Sequence, residues 1–290
     1  MAERKLSNEY LEITVKDHGA ELVSVRKGDT EYLWDADPAY WGRVSPVLFP
    51  FVGGLEGKVY RHEGKEYPMT QHGFARDRDF TLFKQSGQEL WFGLKADEDT
   101  RRIYPFEFEL QCGYRLEGSR IEVIWKVKNT GSKEMYFAIG AHPAFLCPPG
   151  RKGKQTDCFI RFDSDRDLIL TRINEKGMAI EEKAVVELQN GMMPIEEHTF
   201  DQDALIFEQN QAHRVELLDS DRKAYVAVEF DAPLFGIWSP AGKHAPFICI
   251  EPWYGRCDRA GYQGSLADRE WENSIAPGEE WTRSYFIEIL

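Results

Sequence analysis

Two histidines and one glutamate stand where the chain breaks its otherwise regular alternation of apolar and polar residues. His72 lies in the segment Gln71–Arg76, between an amide and a glycine and outside any apolar alternation. His142 precedes Pro143, which favours an extended backbone for His142 at the end of a strand. Glu251 follows an apolar run directly and precedes a proline that is expected to end the strand. These three positions are the first candidates for chemistry.

A histidine and a carboxylate at the rim of a rigid sheet can form a general acid–base pair. Partial burial against Trp253 would raise the pKa of Glu251 towards neutrality. A histidine needs little shift of its pKa to exchange protons near pH 7. Taken singly, each histidine is more simply explained as a structural residue, and a glutamate at this position could stand at an exposed rim. The combination therefore carries more weight than its members.

Four further charged residues lie close to these segments. Arg43 follows two aromatic residues and could either reach solvent or bind the hydroxyls of a sugar. Asp203 opens a strand, where it could serve a turn or accept two neighbouring hydroxyls. Arg76 and Arg78 follow His72 and could form a solvated pair or bind a phosphate. Each alternative stays open at this point.

Other kinds of site lack their sequence patterns. The chain contains no HxH or HExxH motif for a metal, no GxSxG elbow for a serine hydrolase, and no GxGxxG or phosphate-binding loop for a nucleotide. Its five cysteines include no CxxC spacing, which argues against a structural zinc site or a disulfide framework. We therefore predict no metal and no cofactor.

Composition limits the partners and the compartment. A formal net charge of −13 disfavours nucleic acid and anionic membrane surfaces, because both attract Lys and Arg. No apolar run approaches the length of a membrane span, and the first residues lack the apolar core of a signal peptide. Eight Trp and twelve Tyr suit a β-core and could also stack on flat ligands such as sugar rings. We expect a cytoplasmic protein, monomeric or homodimeric, whose partner is a small molecule.

Period-two alternation dominates the chain and predicts an all-β protein of large, mostly antiparallel sheets packed face to face. Because no linker or charge block divides residues 1–290, we predict a single domain. Helix is expected only as a short segment at Leu266–Asn273 and as single turns near Pro38–Trp41 and Pro194–Phe200. The predicted strands are Tyr10–Val15, Glu21–Arg26, Glu89–Lys95, Phe106–Leu110, Arg120–Lys128, Met135–Ile139, Phe159–Phe162, Ala204–Glu208, Arg214–Leu218, Ala224–Phe230, Phe247–Glu251 and Ser284–Ile289.

Six ordered motifs make the sequence resemble the aldose 1-epimerase (galactose mutarotase-like) superfamily, and most closely its LacX-type branch. The resemblance extends from about residue 8 to about residue 289, nearly the whole chain. The motifs are Tyr40-Trp-Gly-Arg43 with Pro46-Val-Leu-Phe-Pro50, Gln71-His-Gly-Phe-Ala-Arg-Asp77, Gly140-Ala-His-Pro-Ala-Phe145, Asp203-Ala-Leu-Ile-Phe207, Gly236-Ile-Trp238 and Cys249-Ile-Glu-Pro-Trp-Tyr-Gly255.

The resemblance implies a β-supersandwich and an isomerase that interconverts the α and β anomers of a free aldose without a cofactor. It implies that Glu251 is the general base, that His142 is the general acid, and that His72 binds near the ring oxygen. It further implies that sugar hydroxyls are bound by residues within the motifs. These predicted binding residues are Arg43, Gln71, Arg76, Asp203 and Trp238.

Departures from the family pattern keep other functions open. Gly42 stands where the better-known galactose mutarotases carry an asparagine before the arginine, so galactose is not implied as the substrate. A neighbouring branch acts on hexose-6-phosphates, and a carbohydrate-binding module with weak catalysis is a further alternative. A glycosidase would need paired carboxylates, for which Glu251 and Asp203 could serve, but the two histidines would then have no role.

Overall fold

The computed structural model of the chain describes residues 2–290 and consists mainly of antiparallel strands. The first twelve strands are β1 Glu3–Ser7, β2 Glu12–Lys16, β3 Leu22–Lys27, β4 Thr30–Glu31, β5 Val59–His62, β6 Lys65–Pro68, β7 Thr81–Gln85, β8 Glu89–Lys95, β9 Phe108–Glu117, β10 Arg120–Asn129, β11 Met135–Phe137 and β12 Ile139–Gly140. The other twelve are β13 Ala144–Leu146, β14 Phe159–Phe162, β15 Leu168–Ile173, β16 Ala179–Val186, β17 Met192–Pro194, β18 Leu205–Glu208, β19 Arg214–Leu218, β20 Ala224–Phe230, β21 Leu234–Trp238, β22 Phe247–Tyr254, β23 Asn273–Ile275 and β24 Glu280–Ile289.

Helix is scarce, as the sequence predicts. One α-helix, α1, spans Glu98–Ile103. The remaining helical turns are 3₁₀ segments at Glu56–Lys58, Ala75–Asp77, Pro149–Arg151, Gln155–Asp157 and Leu266–Asp268. Across residues 2–290, no helix has the length and apolar character needed to cross a membrane.

Two large antiparallel sheets form the body of the protein, which confirms the predicted all-β class. One sheet has nine strands in the order β17-β14-β19-β20-β24-β10-β9-β8-β7. The other has seven strands, with β12 and β13 both pairing with β22, followed by β21, β18, β15 and β16. The two sheets touch through aromatic pairs. Phe162 lies 5.8 Å from Phe207 between ring centroids, and Phe230 lies 5.3 Å from Phe235.

Alternation along β10 shows how the sequence builds this core. Ile121, Val123, Trp125 and Val127 are all buried, as their period-two spacing predicts. Burying a row of large apolar side chains is the main stabilising contribution to such a sheet. The strands that carry the candidate residues are thus held on a close-packed base.

Strand β22 runs through Pro252, so the prediction that this proline ends the strand is wrong. Pro252 pairs with Phe235 on β21, and its carbonyl accepts a hydrogen bond from the Ala141 amide at 3.0 Å. On the other side β22 faces the gap between β12 and β13. Because that side of the ladder is already interrupted, the missing N–H of proline leaves no regular bond unmade.

The helix predicted at Leu266–Asn273 is also wrong beyond its first turn. Arg269 leaves the helical conformation, and its buried guanidinium binds the Asp258 carboxylate at 2.7 Å. Pairing a buried charge outweighs weak helix propensity. Conversely, α1 was missed, although Asp97 and Thr100 form a reciprocal capping box at its start.

Candidate active site

His142 and Glu251 lie opposite each other across the interrupted ladder. Gly140 pairs with Trp253 on one side of the gap, and Ala144 pairs with Cys249 on the other, in the same register. Residues directly opposite in antiparallel strands project to the same face, with Cβ atoms about 4.5–5.5 Å apart. The side chains accordingly meet, and Nε2 of His142 lies 3.3 Å from Oε2 of Glu251.

Burial governs the protonation of this pair. The Glu251 side chain is only 1% exposed, and neither of its oxygens has a hydrogen-bond partner among the described residues. Burial, together with the nearby Asp203 carboxylate, raises the pKa of Glu251 well above 4.5. Burial also lowers the pKa of His142 to about 3. The pair is therefore an uncharged carboxylic acid and an uncharged imidazole, one proton transfer away from an ion pair.

His72 is held in a left-handed conformation, with φ of +67°, beside the same pair. Its Nδ1 accepts a hydrogen bond from the Gly53 amide at 3.1 Å, so the hydrogen of the neutral imidazole lies on Nε2. Burial and the neighbouring His142 lower the pKa of His72 well below 6.5. A side chain at residue 53 would collide with Cys257 at 2.6 Å, so glycine is required to bring this amide close. The result is a neutral hydrogen-bond donor of fixed tautomer.

Aromatic side chains fix the plane of the His142 ring. Trp41 stacks on it, with centroids 4.7 Å apart and an interplanar angle of 27°. Trp238 and His72 approach the ring edge to face, at 5.3 Å and 5.6 Å. One face of Trp41 is thus covered by His142. Packing of this kind limits the His142 imidazole to one orientation.

These groups line a cavity of about 960 Å³. That volume lies near the upper end of small-molecule pockets, about 300–1,000 Å³. Seven of the eight predicted site residues line it, which brings together segments from distant parts of the chain. They are Gln71, His72, Arg76, His142, Asp203, Trp238 and Glu251.

Arg43 is the predicted residue that does not line this cavity. Its guanidinium binds the Asp77 carboxylate at 2.7 Å, and its side chain is 31% exposed. Its charge nevertheless contributes to lowering the pKa of both His72 and His142. The structure therefore places Arg43 beside the site and engaged with Asp77.

Asp203 and Arg76 both face the cavity, and each has a polar atom that makes no hydrogen bond within the described chain. Asp203 has a left-handed backbone, with φ of +68°, and its Oδ1 accepts a bond from the next amide at 2.8 Å. The other carboxylate oxygen has no protein partner in the described part of the chain and can accept ligand hydroxyls. Arg76 is mostly buried, and its Nη2 donates to the Gln71 carbonyl at 2.7 Å. Its Nε has no hydrogen-bond partner within residues 2–290.

Several cavity residues escaped the sequence analysis. Trp41 was noted only as a neighbour of Arg43, although it contacts the candidate acid directly. Arg172 lies at a β-bulge between Thr171 and Ile173, where the irregularity aims it at the cavity. Its buried Nε also lacks a hydrogen-bond partner in the described chain. The sequence gives no sign that Arg172 faces a cavity, because neither β15 nor β16 is predicted as a strand.

One cluster beside the cavity could hold a metal ion. His142, Cys249 and Glu251 each offer one ligand atom, and the three atoms lie within 4.8 Å of one another. All three residues are buried. In the sequence, Cys249 lies inside an apolar run and resembles a small buried hydrophobe, because one strand pattern does not reveal which side chains cluster across strands.

The whole chain is similar to known proteins. Residues 4–287 match the family described as Aldose 1-epimerase. The chromosomal Protein LacX of Lactococcus lactis subsp. lactis is 31% identical over 296 aligned positions, which cover 99% of both chains. This overlap includes every residue of the candidate site.

Solved structures extend the similarity to the fold. A galactose mutarotase related enzyme from Lactobacillus acidophilus superimposes with a TM-score of 0.94 at 32% identity, covering 100% of this chain and 97% of the other. A galactose mutarotase-like protein from Lactobacillus casei ATCC 334 gives a TM-score of 0.94 at 28% identity, with both chains fully covered. The galactose mutarotase-like β-supersandwich predicted from the six motifs is therefore confirmed.

Proposed function

The chain belongs to the aldose 1-epimerase family, and from that premise we propose that it interconverts the α and β anomers of a free aldohexose. The observation that carries the proposal is the cavity-facing contact of 3.3 Å between His142 and Glu251. Such a contact places an acid and a base within reach of the two oxygens bonded to C1 of one pyranose ring. The polar lining of the cavity, Asp203 included, suits an uncharged polyol.

The reaction needs two proton transfers and no group beyond the chain's own residues. Glu251 accepts the proton of the anomeric hydroxyl while His142 gives a proton to the ring oxygen, and the bond from C1 to that oxygen breaks. The product is the open-chain aldehyde, which rotates about C1–C2. Attack of the same hydroxyl on the other face of the carbonyl then returns both protons. His72, as a neutral donor, hydrogen-bonds on the side of the ring oxygen.

The protonation state of His142 and Glu251 is consistent with this cycle. The pair holds one mobile proton, which burial leaves on the Glu251 carboxyl. Its transfer to His142 gives the carboxylate and imidazolium that ring opening requires. The open-chain state has the reverse arrangement, with the proton again on Glu251. The enzyme thus moves one proton back and forth and ends each turnover as it began.

As the pH is lowered, kcat/KM is expected to begin to fall only below pH 4.5. On the acid side the pair loses activity when it gains a second proton, and burial lowers the pKa of the His142 imidazole that would receive it to about 3. Because the shift is downward from 6.5, it extends activity towards acid. We expect the rate, corrected for the spontaneous reaction, to stay constant from pH 6.5 to 4.5. A decline with a midpoint above pH 4.5 would contradict the buried, uncharged pair.

Polarimetry or anomer-resolved NMR on freshly dissolved α-anomers of glucose, galactose and glucose-6-phosphate tests the function itself. Faster equilibration with a free hexose is the expected result. Unchanged equilibration with every aldose tried would exclude the epimerase. Binding of a sugar without acceleration would instead favour a carbohydrate-binding module.

A hexose-6-phosphate epimerase is the second candidate, favoured by the state of Arg76. This guanidinium is mostly buried on the cavity wall, and its nearest carboxylate, on Asp77, is 3.8 Å away. Burial, with the neighbouring Arg43, lowers the pKa of Arg76 to about 10. A phosphate would supply a closer charged partner than the Asp77 carboxylate, which Arg43 also binds.

Replacing Arg76 by methionine separates the two candidates. If a sugar phosphate is the substrate, the Arg76→Met variant should raise KM for glucose-6-phosphate by about 10- to 100-fold, since a charged hydrogen bond contributes about 1.5–3 kcal/mol. KM for glucose should change far less. Arg78→Met is the matched control, because Arg78 lies outside the cavity lining and points to Asp97. Equal effects on both sugars would argue against a phosphate site.

A further inference from the structure

Three side chains of different chemistry converge at one point in the candidate active site. Cys249 and Glu251 are two residues apart on β22, so they project to the same face of the sheet. His142 reaches the same point from the opposing segment. One ligand atom from each residue lies within 4.8 Å of the other two. Cys249 and Glu251 lie on β22, and His142 lies between two segments that both pair with β22, which preorganises the cluster.

The geometry suits a small tetrahedral ion. Zinc binds histidine nitrogen and carboxylate oxygen at about 2.0–2.2 Å, so the corresponding edge of its coordination tetrahedron is about 3.3–3.5 Å. The separation of 3.3 Å between Nε2 of His142 and Oε2 of Glu251 matches that edge. The Cys249 sulfur lies within 4.8 Å of both atoms and supplies a third ligand, and His142 and Glu251 also line the cavity from which an ion would enter.

Burial and charge favour the same type of ion. Both Glu251 oxygens are buried and lack hydrogen-bond partners in the described chain, which calls for an explanation in a native site. A divalent ion with one thiolate, one carboxylate and one neutral imidazole forms a complex without net charge, which a buried site tolerates. A thiolate and an imidazole select zinc and similar soft ions over magnesium and calcium, which require six or more oxygens.

We propose that His142, Cys249 and Glu251 form an inhibitory site for Zn²⁺ or Cd²⁺. Binding releases two protons, the one shared by His142 and Glu251 and the one on the Cys249 thiol. The ion then occupies the nitrogen and the oxygen that would transfer protons, so anomer exchange stops. The inhibition rests on the proposed function, whereas the binding itself does not.

Cobalt binding and zinc inhibition test the proposal with one set of variants. Co²⁺ added to the wild-type protein should produce a near-ultraviolet thiolate charge-transfer band at a stoichiometry of one ion per chain. The band should be lost in Cys249→Ala. Cys257→Ala is the matched control, because Cys257 is also buried and lines the same cavity but lies outside the cluster. That variant should keep the band.

Inhibition by Zn²⁺ should depend on Cys249 and not on Cys257, as the cobalt band does. The Zn²⁺ concentration that halves the wild-type rate should rise at least about tenfold in Cys249→Ala, since losing a ligand costs no less than the 10- to 100-fold typical of an outer-shell partner. Cys257→Ala should stay within about twofold, and Mg²⁺ should not inhibit at the same concentration. Each variant is compared with its own metal-free rate, and Cys249→Ser replaces the alanine variant if the latter does not fold.

The outcomes separate this proposal from the proposed function. A missing cobalt band, or one that persists in the Cys249 variant, overturns the metal site whatever the catalytic result. A band that depends on Cys249 in a protein that accelerates no aldose supports the site and rejects the epimerase. Equal zinc sensitivity of all variants would place inhibition elsewhere and would also overturn the proposal.

Discussion

Replacing Glu251 by glutamine is expected to reduce the enzymatic rate of anomer exchange by about 10²–10⁴-fold, the contribution typical of a positioned acid or base. The amide has nearly the shape of the carboxyl but cannot accept the proton of the anomeric hydroxyl. NMR of α-glucose exchange, corrected for the spontaneous rate, measures the loss. Sugar binding should persist, because the polar lining of the cavity is unchanged.

The free energy of unfolding of Glu251→Gln should stay close to that of the wild type, although its rate falls. The Glu251 carboxyl is buried and its oxygens make no hydrogen bond in the described chain, so the nearly isosteric substitution removes no hydrogen bond and no paired charge. Glu216→Gln supplies the opposite control. That carboxylate binds Arg161 and Arg214 outside the cavity, so its loss should lower stability by about 1–3 kcal/mol and leave the rate intact. Full activity in Glu251→Gln would reject the assignment of the base.

The elements that the sequence predicted well are those in which pattern and burial agree. β10 alternates between apolar and polar residues and is buried on one face, so its period predicts both its structure and its position. β16 is not predicted because it is an edge strand, with Glu and Lys at its centre and half of its side chains exposed. A strand that is exposed on both faces shows no period-two pattern. The β15–β16 hairpin that carries Arg172 therefore cannot be predicted from apolar alternation.

The candidate site was predicted from residue types, but its geometry depends on long-range register. The sequence predicts that His142 and Glu251 lie at the ends of strands, yet more than a hundred residues separate them. The two residues lie opposite each other because β12 and β13 pair with β22 on either side of one gap. Local propensity carries no information on that register. The contact of Arg43 with Asp77 is equally beyond local prediction, because only the folded loop brings the two side chains together.

Replacing His142 by glutamine should reduce the rate by about 10²–10⁴-fold as well, because glutamine places a polar nitrogen near the position of Nε2 but cannot give up a proton to the ring oxygen. The measurement is the same NMR exchange assay. His62→Gln is the matched control, since this half-buried histidine packs on Phe106 away from the cavity and should be dispensable. A wild-type rate in His142→Gln would transfer the role of acid to another group, with His72 the nearest candidate.

The double variant with Glu251→Gln and His142→Gln decides whether the two residues act as one unit. If one proton moves between them through the sugar, neither residue is useful without the other, and the double variant should be no slower than the slower single variant. Independent roles would instead multiply the two losses. Because the side chains touch at 3.3 Å and share one burial environment, we expect the non-additive result. Multiplicative losses would contradict the shared proton, even if each residue proved necessary alone.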